Sequence, residues 1–231
     1  FLKIMGREVK NKDRDAVIIG EVWEDASNKI SYGKERQYLL GDELDSVMNY
    51  PQRNALIDFA LRKIDAKEFD MRIMSVYENY PKETVYSLFN ILSTHDVDRI
   101  LTALSGETPP QSKDEEADFL LSQNAYDAAK KRLLTVITMQ MLMPGVPCVY
   151  YGDEIGMQGY RDPFSRGCFC ADSGDMEIFE STKQLIALRK SSKAFLSGSF
   201  ESLYAYEGGY AFLRKSGREA YIVAVNFGEQ A

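Results

Sequence analysis

The chain has 231 residues, 45% of them hydrophobic and 27% charged, which is the composition of a folded domain and not of a disordered segment. Asp and Glu number 35 against 28 Lys and Arg, so the formal net charge is -7 and there is no positive excess to attract nucleic acid or an anionic membrane. We therefore expect no nucleic acid and no membrane partner, and a neutral substrate fits this balance better.

Short apolar runs alternate with helical patterns over most of the chain, which is typical of β-loop-α units around a parallel sheet. Four strands are predicted, at residues 16–23, 44–50, 85–92 and 146–151. The first contains Val17, Ile18 and Ile19 in succession, and this pattern predicts a strand that is covered on both faces.

Apolar residues at helical spacing predict helices after these strands, at residues 55–60, 65–80, 125–142 and 176–189. A polar insertion at residues 109–118, which begins with two prolines, predicts a flexible loop before the third of these helices.

Beyond residue 195 the pattern changes to short alternating runs with Gly-containing turns between them, which predicts antiparallel hairpins. The predicted strands are at residues 200–206, 210–214 and 220–227. We therefore predict two domains, a β/α unit at residues 1–192 and an antiparallel β unit at residues 193–231.

Two of the predicted parallel strands end in titratable side chains, Glu21 after the first and the pair His95 and Asp96 after the third. In β/α barrels the reactive groups gather at the carboxyl ends of the strands. Glycoside hydrolysis needs a carboxyl group that donates a proton and a carboxylate that stabilises the sugar cation. Burial beside Trp23 would suit Glu21 to the first role, and Asp96 with His95 suits charge stabilisation and sugar binding. The ordinary alternative is that these are solvated loop residues.

Four segments also resemble motifs of the α-amylase superfamily, in the family's order. Residues 18–26 (IIGEVWEDA) resemble its fifth-strand motif, and residues 89–100 (FNILSTHDVDRI) resemble its seventh-strand motif. Residues 44–51 (LDSVMNYP) and 145–157 (GVPCVYYGDEIGM) resemble the sixth and eighth strands of the cyclomaltodextrinase, neopullulanase and maltogenic amylase branch.

The resemblance implies an α/β fold: the C-terminal half of a TIM (β/α)8 barrel, strands five to eight, plus the start of an all-β C-terminal domain. It implies a retaining glycoside hydrolase that acts on α-glucans such as maltooligosaccharides, cyclodextrins, starch or pullulan by double displacement. Glu21 would be the general acid/base, and Asp96 with His95 would bind the sugar and stabilise the transition state.

Two further residues are candidates for substrate binding. Trp23 is either a platform on which a sugar stacks or a packing residue, and the sequence leaves both interpretations open. Arg99 is a candidate because it lies close to Asp96, where it would pair with a carboxylate, although a structural ion pair explains it equally well.

The sequence departs from the family pattern in two places. No Gly-x-Arg-x-Asp motif, which carries the family's nucleophile, precedes Glu21, so we expect this chain alone to be inactive. Residues 168–172 (CFCAD) stand where the family usually has Met-x-Trp. The alternative function is a non-catalytic carbohydrate-binding or structural amylase-like domain, which the absence of the nucleophile from the complete gene would favour.

Cysteine usage and sheet edges give the remaining expectations. Cys148, Cys168 and Cys170 are odd in number and form no disulfide framework, which favours a reducing compartment, and the resemblance to this branch slightly favours the cytoplasm. No His or second Cys pair completes a tetrahedral set, so we expect no metal ion and no cofactor. Half a barrel exposes two strand edges, at residues 17–23 and 146–151, and this predicts self-association into a homo-oligomer or aggregate.

Overall fold

The computed structural model describes residues 1–228, apart from the side chain of Ala171. In chain order its first elements are α1 (Leu2–Lys12), β1 (Ile19–Gly20), β2 (Ile30–Ser31), β3 (Lys34–Glu35), β4 (Ser46–Val47), α2 (Tyr50–Ala60), α3 (Ala66–Asn79) and α4 (Lys82–Ser87). They are followed by β5 (Phe89–Ile91), α5 (Ile100–Ser105), α6 (Lys113–Ala117), α7 (Gln123–Leu142) and β6 (Val146–Cys148). Three 3-10 turns then occupy Asp153–Ile155, Phe164–Arg166 and Ala171–Ser173. The last elements are α8 (Met176–Ser191), α9 (Lys193–Ser197), β7 (Ser199–Tyr206), β8 (Gly209–Ser216) and β9 (Glu219–Asn226).

Four short strands run parallel, side by side, in the order β1, β4, β5 and β6. The first two pair with each other and so do the last two, and a parallel bridge between Met48 and Phe89 joins the pairs. Within residues 1–228 no other strand pairs with the outer edge of β1 or of β6. The predicted parallel arrangement is therefore confirmed, as an open arc with two free edges.

The first strand is shorter and less buried than the sequence predicted. Only Ile19–Gly20 forms a ladder, and the side chains of Val17 and Ile19, on one side of the strand, are 62% and 41% exposed. The prediction of a strand covered on both faces was wrong, because no element of the described chain packs on that side.

The third predicted strand was also too long, since residues 82–87 form the helix α4 and only Phe89–Ile91 is extended. The helix buries Thr84 and Val85 on one side, and Glu83 lies in its first turn, where a negative charge is favourable. A short apolar run does not by itself distinguish a buried helical turn from a strand, and here it contained one of each.

Four further helices, α1, α5, α6 and α9, were absent from the predictions. The polar insertion, predicted as a flexible loop, contains α6, which begins with a capping box between Ser112 and Glu115. This Ser-x-x-Glu spacing was the sequence signal that could have predicted it. Helix α1 buries only Gly6. A Cβ atom added at Gly6 would lie 2.9 Å from the Asp42 carbonyl oxygen, so the helix packs closely on that part of the chain.

Helices α2 and α3 begin where their capping residues predict. The Asn49 side chain accepts a hydrogen bond from the Gln52 amide at 3.2 Å, and Pro51 occupies the first turn of α2, where no donor is needed. Asp65 caps α3 by accepting from the Glu68 amide at 2.8 Å. Pro51, which directly follows the predicted strand at residues 44–50, therefore lies in the first turn of a helix, and this fixes the chain at the end of β4.

The antiparallel sheet β7-β8-β9 confirms the three predicted hairpin strands and packs on α2 and α3. Phe59 stacks on Phe69 with ring centroids 4.8 Å apart, and Tyr210 of β8 meets Phe69 edge-on at 5.0 Å. Pairs of this kind contribute roughly 0.5 to 1.5 kcal/mol each beyond the area they bury. The sheet thus shares one hydrophobic core with the helices.

A buried arginine joins the sheet to the end of α7. The Arg214 side chain has no exposed surface. Its guanidinium donates to four carbonyl oxygens, those of Leu142 at 2.5 Å, Phe195 at 3.2 Å, Gly198 at 3.2 Å and Ser199 at 3.3 Å.

Within residues 1–228, no helix has the length and apolarity needed to cross a bilayer.

Candidate active site

Polar side chains gather at the carboxyl end of the parallel arc, among them the predicted Glu21, His95 and Asp96. Glu21 directly follows β1, Tyr50 follows β4, His95 and Asp96 follow β5, and Tyr150 follows β6. Because the four strands are parallel, all of these residues lie at the same edge of the sheet, which is the functional edge of β/α folds.

The carboxylate of Glu21 is held by two aromatic side chains. The indole nitrogen of Trp23 donates to Glu21 Oε1 at 3.0 Å, and the hydroxyl of Tyr50 donates to the same oxygen at 3.4 Å. The two rings are stacked, with centroids 4.4 Å apart and planes 9° apart. Glu21 itself is exposed, so the burial that the sequence predicted for it is not found: within the described chain no element covers the open side of β1.

Tyr50 connects Glu21 to the loop that carries Asp96. Its hydroxyl also lies 3.4 Å from Thr94 Oγ1, which in turn accepts a hydrogen bond from the Asp96 amide at 3.2 Å. If Thr94 donates to Tyr50 and Tyr50 donates to Glu21, each hydroxyl proton is used once. Burial raises the pKa of the Tyr50 phenol, and the charges of Glu21 and Asp96 raise it further. The phenol therefore stays protonated and able to donate.

His95 and Asp96 face the open end of the arc together. His95 Nε2 lies 3.2 Å from Asp96 Oδ2, and their side chains are 51% and 37% exposed. The guanidinium of Arg166, from the loop after β6, donates to the His95 carbonyl at 3.1 Å and lies 3.5 Å from Asp96 Oδ1. Asp162 Oδ1 lies 2.7 Å from Arg166 Nε, the nitrogen that also donates to the His95 carbonyl. Both imidazole and carboxylate thus remain accessible while their loop is fixed.

The structure puts Arg99 beneath the site and not at its surface. The side chain has no exposed surface, and its guanidinium donates to the Tyr151 carbonyl and lies 3.3 Å from Asp153 Oδ1. The guanidinium carbon is 4.4 Å and 4.6 Å from the ring centroids of Tyr150 and Tyr151. Arg99 therefore contacts the supports of the site, and a sugar at the surface would not reach it.

Asp153 is the buried ion-pair partner of Arg99 beneath the site. It accepts a hydrogen bond from Ser93 Oγ at 2.9 Å, and the same Ser93 oxygen accepts from the Ile100 amide at 2.8 Å. Burial raises the pKa of Asp153 to about 6, although the hydrogen bond from Ser93 and the charge of Arg99 act in the opposite direction. The network joins the end of β5 to the loop after β6.

The site thus includes residues that the sequence did not indicate as functional. Tyr50, Thr94, Ser93 and Asp153 had no predicted role in the site, because their contacts cross from one strand to another. The only indication in the sequence was that these residues lie within the family motifs at residues 44–51, 89–100 and 145–157. Within residues 1–228 no group of three or more His, Cys, Asp or Glu side chains is arranged to hold a metal ion.

Comparison with known proteins identifies the family. Residues 1–177 match the family model described as alpha amylase, catalytic domain. The chain belongs to the alpha-amylase family. The resemblance inferred from the four motifs is confirmed, and the open parallel arc is part of an alpha-amylase catalytic domain.

Curated alpha-amylase family relatives include amylopullulanases and cyclomaltodextrinases. An amylopullulanase of Thermoanaerobacter thermohydrosulfuricus is 36% identical over 93% of this chain, and a cyclomaltodextrinase of Geobacillus thermopakistaniensis is 34% identical over all of it. A neopullulanase 2 of Thermoactinomyces vulgaris is 34% identical over 93% of the chain. The matched parts are 15%, 35% and 32% of those three proteins, so the chain spans about a third or less of their length.

Solved alpha-amylase family structures share the fold. The debranching enzyme of Nostoc punctiforme superimposes with a TM-score of 0.82 at 29% identity, over 99% of this chain and 44% of that protein. The type III pullulan hydrolase of Thermococcus kodakarensis gives 0.83 at 26% identity, over 98% of this chain and 36% of that protein. The arc and the antiparallel sheet together are therefore an arrangement found in enzymes of this family.

Proposed function

We propose that this chain carries the acid/base side of the active site of a retaining α-glycosidase that acts on α-glucans. One observation carries the proposal: the Tyr50 hydroxyl lies 3.4 Å from Glu21 on one side and 3.4 Å from Thr94, beside Asp96, on the other. Two carboxylates that follow different strands therefore serve one opening, where Glu21 can donate a proton and Asp96 can stabilise the sugar cation. The names of the relatives, which include cyclomaltodextrinase and neopullulanase, support cyclodextrins and pullulan as substrates.

In this proposal Glu21 is the general acid and then the general base. Its protonated form donates to the glycosidic oxygen as the bond to the sugar breaks. The resulting carboxylate then takes a proton from the water or acceptor sugar that attacks the glycosyl-enzyme. The donors on Glu21 Oε1, from Trp23 and Tyr50, fix the carboxylate in one orientation throughout.

Asp96 and His95 bind and stabilise the reacting sugar. The carboxylate of Asp96 is accessible, so it can oppose the positive charge that develops on the sugar ring. The imidazole of His95, 3.2 Å from that carboxylate, donates to a sugar hydroxyl or to Asp96. Arg166 limits the movement of both through the His95 carbonyl.

We assign different roles to Trp23, at the surface of the site, and to Arg99, which is buried beneath it. The Trp23 side chain is 48% exposed and has one face on Tyr50, which leaves the other face available to a sugar ring. Arg99 is buried, so we propose that it positions the loops through Asp153 and Tyr151 and does not bind substrate directly.

The finer architecture is part of the same proposal. We infer that β1, β4, β5 and β6 are strands five to eight of a (β/α)8 barrel, and that residues 1–192 and 193–231 are catalytic-domain and C-terminal β-domain segments. The ordering of the four parallel strands supports the first inference, and the end of α8 at Ser191 supports the second. Residues 229–231 lie outside the described residues.

The nucleophile is absent from these 231 residues in this proposal, because the sequence has no Gly-x-Arg-x-Asp motif before Glu21. An Asp supplied by another segment of the complete protein attacks the anomeric carbon, and this chain alone does not hydrolyse glucans. Hydrolysis by the isolated chain that disappears in its Glu21→Gln variant would contradict this part.

The deciding experiment compares Glu21→Gln with the matched control Glu35→Gln in the complete protein. Hydrolysis of maltooligosaccharides or cyclodextrins should fall at least about 100-fold in the first variant, the usual contribution of a general acid, and should be unchanged in the second. An α-glucosyl fluoride needs no protonation to leave, so the first step should persist in Glu21→Gln, and added azide should restore turnover by replacing the activated water.

A general loss of activity without azide rescue would mean that Glu21 is structural. Full hydrolysis by Glu21→Gln would contradict the proposal. Binding of glucans without hydrolysis by the unaltered complete protein would favour a non-catalytic carbohydrate-binding function.

A further inference from the structure

Two exposed thiols, two residues apart in the chain, belong to the loop that follows Arg166 of the candidate site. Cys168 and Cys170 are free and exposed, and Phe169 between them is 50% exposed. They occupy the loop between the 3-10 turn at Phe164–Arg166 and the next turn, which ends at Ser173. The proposed function gives neither thiol a role.

The chain just before the thiols is fixed to the site. Ser165 Oγ donates to the His95 carbonyl at 3.2 Å, and Arg166 donates to the same carbonyl at 3.1 Å. The Tyr151 hydroxyl donates to the Gly167 carbonyl at 2.9 Å. Cys168 therefore directly follows a segment, residues 165–167, that contacts both the His95 loop and the loop after β6.

The two exposed thiols differ in environment from the third cysteine. The turn brings Ser173 back to Cys170, whose carbonyl accepts from Ser173 Oγ at 3.1 Å, and hydrogen bonds from Ser173 lower the pKa of the Cys170 thiol. Cys148 in β6 is half-buried, and burial together with the charge of Asp153 raises the pKa of its thiol. Since the thiolate is the attacking species, Cys170 should react first.

We propose that Cys168 and Cys170 form a dithiol site that small disulfides oxidise to an intramolecular disulfide, and that this closure changes the contact of Arg166 with the His95 and Asp96 loop. Residues two apart in a chain have Cα atoms at most about 7 Å apart, near the upper limit for a disulfide, so closure needs only local backbone movement. That movement falls on residues next to Gly167 and Arg166.

The chemistry proceeds by two exchanges. The Cys170 thiolate attacks one sulfur of the small disulfide, forms a mixed disulfide and releases one small thiolate, which takes up a proton. The Cys168 thiolate then attacks Cys170 Sγ, forms the intramolecular bond and releases the second small thiol. The protein loses two hydrogen atoms, and the small disulfide is reduced to two thiols.

The test of the thiol site uses the 231-residue chain and oxidised glutathione, followed by alkylation and mass spectrometry of peptides. The peptide with Cys168 and Cys170 should lose two hydrogen atoms, while Cys148 should stay free and be alkylated after unfolding. Cys168→Ser should stop at a glutathione adduct on Cys170, and the control Cys148→Ser should still close. Free thiols at 168 and 170, a persistent adduct in the unaltered chain, or equal reaction of Cys148 would overturn the proposal.

The effect on the site rests on the proposed function and is measured in the complete protein. Oxidation should change the rate of α-glucan hydrolysis by about fivefold, as expected for loss of one hydrogen bond of about 1 kcal/mol, and Cys168→Ser should remove this sensitivity. An unchanged rate with the disulfide formed would overturn the coupling. No hydrolysis in either redox form would instead count against the proposed function and leave the thiol result intact.

Discussion

The Tyr50 side chain belongs to the core and to the candidate site at once. Its ring is buried and stacks on Trp23, while its hydroxyl contacts Glu21 and Thr94. A buried ring with a hydroxyl at the sheet edge is a stable way to hold charged neighbours, because the ring is fixed by packing and only the polar tip reaches the opening.

At this scale the sequence predicted Glu21, Trp23, His95 and Asp96, since those residue types at those motif positions carry the chemistry. The sequence did not predict a site role for Tyr50. Such a role depends on which residues of the neighbouring strands the hydroxyl faces. A local sequence pattern does not determine this, because it does not give the register between strands.

Asp153 gives the support beneath the site a dependence on pH. Burial raises its pKa from an ordinary 3.8 to about 6, so between these values the folded protein holds a proton that the unfolded chain releases. Binding of this proton stabilises the folded state. The stabilisation is fully present below about pH 4 and is lost as the pH rises through about 6.

We predict that wild-type stability declines between pH 4 and 6 by up to roughly 3 kcal/mol from this group, and that Asp153→Asn lacks that decline. The variant should be less stable overall, since the buried Arg99 loses its charged partner. Urea unfolding at several pH values measures both effects. The exposed control Asp118→Asn should keep the decline, and parallel curves for wild type and Asp153→Asn would contradict the assignment.

Among the secondary-structure elements, those with strong caps and long apolar periodicity were predicted well. Helix α7 was predicted at residues 125–142 and occupies Gln123–Leu142, and the three strands of the antiparallel sheet agree within a few residues. Helix α4 was missed because its buried turn merges with the strand that follows. Helix α6 was missed because its capping box lies in a polar stretch without apolar periodicity.

Arg214 shows how β8 is joined to α7 and α9. It is central in the sheet and fully buried, and its four acceptors lie on three different parts of the chain. A buried carbonyl that loses its donor costs about 1 to 3 kcal/mol, so this single side chain compensates several such costs.

We predict that Arg214→Met, which keeps most of the volume and removes the donors, lowers the free energy of unfolding by about 3 to 5 kcal/mol. Arg218→Met, in the exposed turn between β8 and β9, is the matched control and should change it by less than about 0.5 kcal/mol. Chemical unfolding measures both. A midpoint for Arg214→Met equal to that of the wild type would mean that the carbonyls find other donors.

For the whole molecule, the open arc is the dominant feature. Within residues 1–228 the outer edges of β1 and β6 are unpaired, and apolar side chains are exposed beside them: Val17 is 62% exposed and Val146 is 45% exposed. Unpaired strands with apolar side chains are templates for pairing with another copy. The alternation of apolar runs and helices in the sequence predicted the fold class. It did not predict that the apolar side chains beside β1 and β6 are exposed, because a local sequence pattern does not show which elements cover a strand.

We predict that the 231-residue chain self-associates in a concentration-dependent way on size-exclusion chromatography with light scattering. Placing charges at both edges with Val17→Lys and Val146→Lys should shift it toward monomer, since a charged edge resists pairing. Lysine substitutions at two exposed leucines outside the strands, Leu120→Lys and Leu196→Lys, are the control and should leave the self-association unchanged. A wild-type chain that stays monomeric across the concentration range would contradict this.

The central claim, that Glu21 and Asp96 act on one sugar, is tested most directly by a crystal structure of the Glu21→Gln variant of the complete protein with a bound maltooligosaccharide. We predict the side chain at position 21 about 3 Å from a glycosidic oxygen, with the Asp96 carboxylate in contact with hydroxyls of the sugar whose bond would be cleaved. A maltooligosaccharide bound at the active opening and touching neither position, or touching Asp96 alone with position 21 facing solvent, would contradict it.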